Sequence, residues 1–272
     1  MAMNWPTFFT RLGSAVVFCA VMMAGLLWNE WSFLALVVLI QVLCIREYFR
    51  LMKKIYPKYY WPMWLQIAMQ IGCLGYLLYY SALFGEYESI MLSAIMLPQF
   101  VLMAAALSIQ KSRYAAGYAF ASFFYLSLPM ILLLQMYMVD DLLPLMIILM
   151  IWCNDTLAYL VGSFIGKTPL TKISPKKTWE GTAGGIILTL ASVAIWAYLK
   201  ATDYTIMQWV GLAFVVAIAG TFGDLLESKL KRMADVKDSG AMMPGHGGAL
   251  DRFDSLLIAT PFAFIYAYLF MM

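Results

Sequence analysis

Residues Gly220 to Asp254 read GTFGDLLESKLKRMADVKDSGAMMPGHGGALDRFD, between apolar windows centred near Val215 and Phe264. Six of the chain's fifteen carboxylates fall in this one stretch. Charge this dense between two hydrophobic helices points to chemistry or ion handling. Asp224 and Glu227 are three apart before the turn and Asp251 and Asp254 are three apart after it, so each pair can share a helix face. Between them run Lys229, Lys231, Arg232 and Lys237, then Pro244-Gly245-His246-Gly247-Gly248, a backbone free enough to wrap closely around a ligand. Carboxylates suited to a divalent cation thus stand beside bases suited to phosphate.

Outward from this stretch the chain is hydrophobic throughout. It has 272 residues, 64% hydrophobic and 12% charged, with mean hydropathy +0.80. A soluble domain is about half apolar and about a quarter charged, so the composition excludes one. Apolar windows of roughly 18–24 residues recur, the length that crosses about 30 Å of hydrocarbon at 1.5 Å per residue. About nine are counted, centred near Val21, Val38, Gln70, Ile95, Ser127, Met150, Leu190, Val215 and Phe264. Hydrocarbon offers no partners for backbone N–H and C=O groups, so the spans must be helices. The expected fold is an all-α, polytopic integral membrane protein.

Placing successive connectors on alternate sides puts seventeen of the eighteen basic residues on one side, from Arg11 and the Arg46–Lys58 connector to the Lys229–Arg252 stretch. The other side holds only Lys200, with Glu30, Glu86, Glu88, Asp140, Asp141 and Asp203. By the positive-inside rule the N-terminus is cytoplasmic and the helix count odd. The first window, with no small-residue cleavage motif before Trp28-Asn29-Glu30, reads as a retained signal anchor. Cys19, Cys44, Cys73 and Cys153 lie in apolar windows without Cys-x-x-Cys spacing and read as packing residues. Residues 1–140 read as scaffold helices, where isolated amides such as Gln41 bond neighbouring helices. Residues 141–272 read as a catalytic region with a cytoplasm-facing polar site.

Three motifs support that division. Asn154-Asp155-Thr156 lies roughly ten residues from the basic end of its helix, about 15 Å deep; it reads either as a helix–helix hydrogen-bond clamp or, because an intramembrane acid implies function by default, as a ligand or ion contact at the floor of a cytoplasm-facing cavity. Gly162-Ser-Phe-Ile-Gly166-Lys167-Thr168 resembles a P-loop but is one residue short, follows a membrane helix rather than a strand, and is broken by Pro169. Ser174-Pro175-Lys176-Lys177-Thr178-Trp179-Glu180 puts two lysines and two hydroxyls at a helix start, which serves either as a cap or as an anion site.

The residues from Ser228 through Leu230-Lys231-Arg232, Lys237-Asp238, Gly240, Met243-Pro244, His246-Gly247-Gly248 and Asp251-Arg252-Phe253-Asp254 resemble the signature of the phosphatidate cytidylyltransferase (CDP-diacylglycerol synthase) family. Asp155 with Ala158-Tyr159, and Ser174 to Gly181, resemble further family motifs in the same order. Ala249 departs from a larger aliphatic residue usual in the family, which touches packing. The resemblance implies transfer of CMP from CTP to phosphatidic acid, with release of pyrophosphate and dependence on Mg²⁺, with room for a second metal ion. It implies Asp224, Asp251 and Asp254, with Asp238, as metal ligands and catalytic residues together with Lys237 and Arg252. Substrate contacts fall to Asp155, Ser174, Lys176, Lys177, Thr178, Ser228, Lys231, Arg232, His246, Gly247 and Gly248. Which of Lys176 and Lys177 reaches phosphate stays open, as does whether His246 donates to phosphate or organises the loop. Expected partners are CTP, phosphatidic acid, the lipid bilayer and, through the family, a second copy in a homodimer, with no nucleic acid. The expected location is a bacterial inner membrane with the site facing the cytoplasm. The alternatives are another CTP-dependent membrane lipid enzyme, such as a lipid kinase or a CDP-archaeol-type synthase, or a transporter, although transporters more often show repeated halves.

Overall fold

The computed structural model describes residues 5–57, 121–200, 202–242 and 247–272. They form α1 (Trp5–Leu27), α2 (Glu30–Ile55), a π-helical turn (Phe123–Ser127) running into α3 (Leu128–Val139), α4 (Leu142–Ile165), α5 (Trp179–Leu199), α6 (Ile206–Met233) and α7 (Leu250–Phe270). An isolated β-bridge pairs Pro169 with Thr178. Among the described residues five helices, α2 and α4 to α7, are long and apolar enough to cross a membrane. Seven of the apolar windows fall on these helices or on α1 and the π turn with α3; those centred near Gln70 and Ile95 lie outside the described residues.

The chain divides into two compact units, Met1–Ile131 with Met233–Phe253, and Leu132–Arg232 with Asp254–Met272. In the first, α1 and α2 form a hairpin whose turn is set by Asn29. Its side chain accepts from the Ser32 amide and the Ser32 hydroxyl accepts from the Asn29 amide, a reciprocal capping box. Gln41, 1% exposed, donates to the Ser127 hydroxyl of the π turn at 2.9 Å, so this scaffold amide bonds a neighbouring helix as its isolation in apolar sequence suggested. Cys44 is buried in the same packing.

In the second unit the helices approach through small residues. A Cβ on Gly185 of α5 would lie 2.8 Å from the Cα of Ala158 on α4, and one on Gly181 would lie 2.9 Å from the Gly162 Cα. Gly181-x-x-x-Gly185 therefore faces Ala158-x-x-x-Gly162, the small-residue spacing that lets membrane helices touch backbone to backbone. A Cβ on Gly185 would meet the Cβ, Cα and N of Ala158, none of which can move without its helix. Gly185→Val is expected to destabilise the protein by roughly 1–3 kcal/mol through overpacking, read as a lower thermal midpoint in detergent; an unchanged midpoint would show that the helices are not in this register.

On α6 the buried stripe runs Trp209, Leu212, Ala213, Val216, Ala217, Gly220, Gly223 and Glu227, steps of three and four that keep one helical face inward. Near its start Trp209 meets Trp196 and Tyr204 edge to face, with centroids 5.2 and 5.4 Å apart, and donates to Thr202. This is the acidic, Lys200 end, where an aromatic belt suits a membrane interface. At its other end α6 stops at Met233, and Asp235 turns away with φ +52°.

Candidate active site

The loop between α4 and α5 is held by its own polar groups. The Gly166 amide closes α4 on the Gly162 carbonyl, the Lys167 and Thr168 amides donate to the Glu180 carboxylate at 3.1 Å, and the Leu170 amide donates to the Lys177 carbonyl. No helix begins at Gly166-Lys167-Thr168, and Glu180 already takes the Lys167 and Thr168 amides, so the segment is not a P-loop. Thr178 caps α5 by accepting from the Gly181 amide. Ser174 forms a tight turn whose carbonyl accepts from the Lys177 amide. That turn separates the two lysines: Lys176 is exposed, whereas Lys177 is half-buried and forms an ion pair with Asp224 of α6.

Asp224 owes its position to Gly223. A Cβ at Gly223 would strike the Asp254 carbonyl and come within 3.0 Å of the Ser255 Cα, so only glycine lets α6 lie this close to α7. Asp254, 8% exposed, is thereby brought within electrostatic reach of Asp224, Asp155 and Lys231. Its Oδ1 accepts from the Ser255 amide at 2.6 Å. Ser228, one turn beyond Asp224, donates to the Asp224 Oδ1 at 3.2 Å, and Lys231 pairs with the fully buried Glu227. The outcome in this unit is three carboxylates, Asp155, Asp224 and Asp254, with Lys177 and Lys231, drawn from α4, α6, α7 and the α4–α5 loop. Arg232 is exposed at the end of α6.

The first unit holds a second cluster. Asp251 accepts at Oδ2 from the Ser239 amide at 2.9 Å and from the Gly248 amide at 2.7 Å, so it organises the loop that leads into α7. Gly247, with φ +86°, has no room for a Cβ beside the Asp251 carboxylate, and Gly248 is buried against Glu47 and Ser239. Lys237, Asp238 and Arg252 are exposed. His246, with Met243, Pro244 and Gly245, lies outside the described residues. Among the described residues no group of three or more His, Cys, Asp or Glu stands in an arrangement that could hold a metal ion. Of the four carboxylates expected to bind one, Asp224 and Asp254 lie together in the second unit, while Asp251 and Asp238 belong to the first.

Glu47 is the residue that sequence reading missed. It is 6% exposed on α2, and its Oε1 and Oε2 accept from the Ala249 and Leu250 amides at 3.0 and 2.8 Å. The Ser239 hydroxyl stands between two carboxylates, 2.7 Å from Glu47 Oε2 and 2.9 Å from Asp251 Oδ2, with one proton to give. A carboxylate at the N-terminus of α7 satisfies amides that the helix cannot satisfy itself and suits the positive end of its dipole. The available signal was the one acid in the Arg46–Lys58 connector, masked by its basic neighbours Arg46 and Arg50. Glu47→Ala removes the acceptor for three donors. It is expected to cost about 2–4 kcal/mol, seen as a lowered thermal midpoint, whereas a Glu47→Gln midpoint should lie between that of Ala and wild type; equal midpoints for all three would refute the role.

A family model described as "Cytidylyltransferase family" matches residues 9–270. Relatives named phosphatidate cytidylyltransferase include one from Bacillus subtilis (strain 168), 45% identical over 121 residues, which are 44% of this chain and 45% of the relative. One from Staphylococcus aureus (strain COL) is 44% identical over 116 residues, 42% of this chain and 44% of the relative. A chloroplastic relative from Arabidopsis thaliana, phosphatidate cytidylyltransferase 4, is 44% identical over 111 residues, 41% of this chain and 28% of the relative. The matched stretch thus spans less than half the length of each of these relatives.

Proposed function

The chain belongs to the cytidylyltransferase family, and from that membership we propose that it transfers the cytidylyl group of CTP to phosphatidic acid, forming CDP-diacylglycerol and pyrophosphate. The observation that carries this reading is the convergence of Asp155, Asp224 and Asp254 with Lys177 and Lys231. The relatives' shared name, phosphatidate cytidylyltransferase, supports the choice of lipid.

In this reaction an ionised oxygen of the lipid phosphate attacks the α-phosphorus of CTP. The bond from that phosphorus to the bridging oxygen breaks, and pyrophosphate carries away the electron pair. The nucleophile is already an anion near neutrality, since even the second phosphate pKa is about 6. No strong general base is required, and the barrier lies in bringing two polyanions together. Lys177 is suited to lower it: its partner Asp224 holds the ammonium in place, and an arriving phosphate can share or replace that carboxylate. Asp224 holds Lys177 and is itself held by Ser228, so the loop lysine and the helix acid are oriented as one unit before substrate binds.

A hard divalent cation would be held by Asp224 and Asp254, the two carboxylates of the expected set that share the second unit. Mg²⁺ takes one or two carboxylates, keeps several waters and completes its shell with substrate phosphates, so Asp224 and Asp254 meet the protein's share without a full cage. When bound, Mg²⁺ would supply neutralising charge between phosphate oxygens. The reading includes nine transmembrane helices with a cytoplasmic N-terminus, the site on the basic cytoplasmic face where nucleotide is met, and a homodimer in the bilayer.

The test is the purified protein in detergent with cytidine-labelled CTP, phosphatidic acid and Mg²⁺. Lipid-soluble cytidine label and pyrophosphate should appear in equal amounts. CDP released without label entering lipid would identify a lipid kinase instead and overturn the reading.

A further inference from the structure

The amides of Lys167 and Thr168, at the end of the segment that resembles a P-loop, both point at the carboxylate of Glu180. We propose that Glu180 is a positioning residue for the reaction: it latches the α4–α5 loop and so fixes where that loop presents Lys177. The proposal rests on the cytidylyltransferase reading and deepens it by a residue that acts through Lys177 and does not touch substrate.

The latch and the lysine are joined by an unbroken set of bonds within the second unit. Glu180 Oε2 accepts from the Lys167 and Thr168 amides at 3.1 Å each, and Oε1 lies 3.2 Å from the same Thr168 amide. The Trp179 amide then donates to the Thr168 carbonyl at 2.9 Å, and the Leu170 amide donates to the Lys177 carbonyl at 2.7 Å. Residues 168–170 therefore run antiparallel to 177–179 about the Pro169–Thr178 bridge. This short ladder ends at Lys177, whose ammonium pairs with Asp224. Beyond it the Thr171 hydroxyl oxygen accepts from the Ile173 and Ser174 amides at 3.0 and 3.3 Å, which shapes the turn that parts Lys176 from Lys177.

Capping does not account for Glu180. Thr178 already caps α5 through the Gly181 amide, and the Glu180 carboxylate reaches back to two amides that lie beyond the end of α4. A Cβ on Gly166 would strike the Thr178 side chain, so the end of α4 lies directly against the start of α5 and keeps those amides within reach. The latch bonds are exposed, so water can take them over and the fold does not depend on them. Water cannot replace their direction. Without the latch the ladder opens from its free end, and Lys177 is no longer held in one place beside Asp224, a loss of orientation that an active site feels strongly.

Glu180→Gln keeps the length of the side chain but leaves one neutral oxygen for two amides. It should lower kcat/KM for CTP roughly 10- to 100-fold, as misplacement of a reacting group does, while the thermal midpoint in detergent stays within a few degrees of wild type. Made on top of Lys177→Gln, the same change should cost less than about twofold, because residues that act as one unit are not additive. Glu180→Asp, which keeps the charge but draws it back by one methylene, should lose as much as Glu180→Gln. Full additivity with Lys177→Gln, wild-type activity in either Glu180 variant, or failure of Glu180→Gln to fold would each overturn the latch.

A second readout does not depend on turnover. Under limited acetylation with acetic anhydride, read by mass spectrometry, Lys177 should react more slowly than Lys176 in the wild-type protein, and Glu180→Gln should largely abolish the difference. An unchanged difference would show that Glu180 does not position Lys177. Wild-type protein that shows the expected labelling but makes no CDP-lipid fails the cytidylyltransferase reading instead, and with it the latch's part in that reaction.

Discussion

Asp254→Asn is expected to lower turnover by roughly 10²–10³-fold, the usual loss when one preorganised electrostatic group is removed from an active site, while the thermal midpoint stays level or rises. The two effects separate because Asp254 is buried beside Asp224 and Asp155. A carboxylate among like charges pays for its place in stability, and the isosteric amide relieves that repulsion while keeping the shape. Asp251→Asn should behave in the opposite way. Its carboxylate takes the Ser239 and Gly248 amides, and loss of the charge weakens both bonds, so the midpoint should fall. Turnover and melting measured on the same detergent preparations decide the matter. Normal turnover in Asp254→Asn would remove that residue from the site.

Neutralising Lys177 is expected to cost as much as losing Asp254. Lys177→Gln should lower turnover roughly 10²–10³-fold, and Lys176→Gln about tenfold or less, because only Lys177 is held by Asp224 while Lys176 is exposed on the outer side of the same turn. The double variant should make no measurable CDP-diacylglycerol. Raising Mg²⁺ should not restore it, since a diffusible ion cannot replace a positioned donor. Lys53 and Lys54, exposed at the end of α2, provide the control pair, and their change to Gln should leave turnover near wild type. If the control cost as much as the loop pair, the loop lysines would serve only membrane orientation.

Asp224 and Glu227 show how far spacing alone could go. Their separation of three placed them on one helix, and both lie on α6. Yet Glu227 is fully buried on the core stripe while Asp224 reaches the α4–α5 loop. A helical period states which residues share a face and not what that face meets. Likewise the pattern Lys176-Lys177-Thr178 foretold a helix start with cations beside it, but only the turn closed on the Ser174 carbonyl gave the two lysines different surroundings.

The apolar windows determined that the chain is helical and lies in a membrane, because hydrocarbon leaves a backbone no other way to satisfy its polar groups. The charged stretch at 220–254 determined where its chemistry is concentrated, because ions are tolerated in such a chain only where something uses them. Tertiary structure decided the partners. Glu47 accepts from Ala249 and Leu250, more than two hundred positions away, and α6 lies against the Asp254 backbone only because Gly223 has no side chain. Such contacts depend on how closely and in what register helices pack, which is set by small residues and buried hydrogen bonds over the whole interface, so no local period in the sequence carries them.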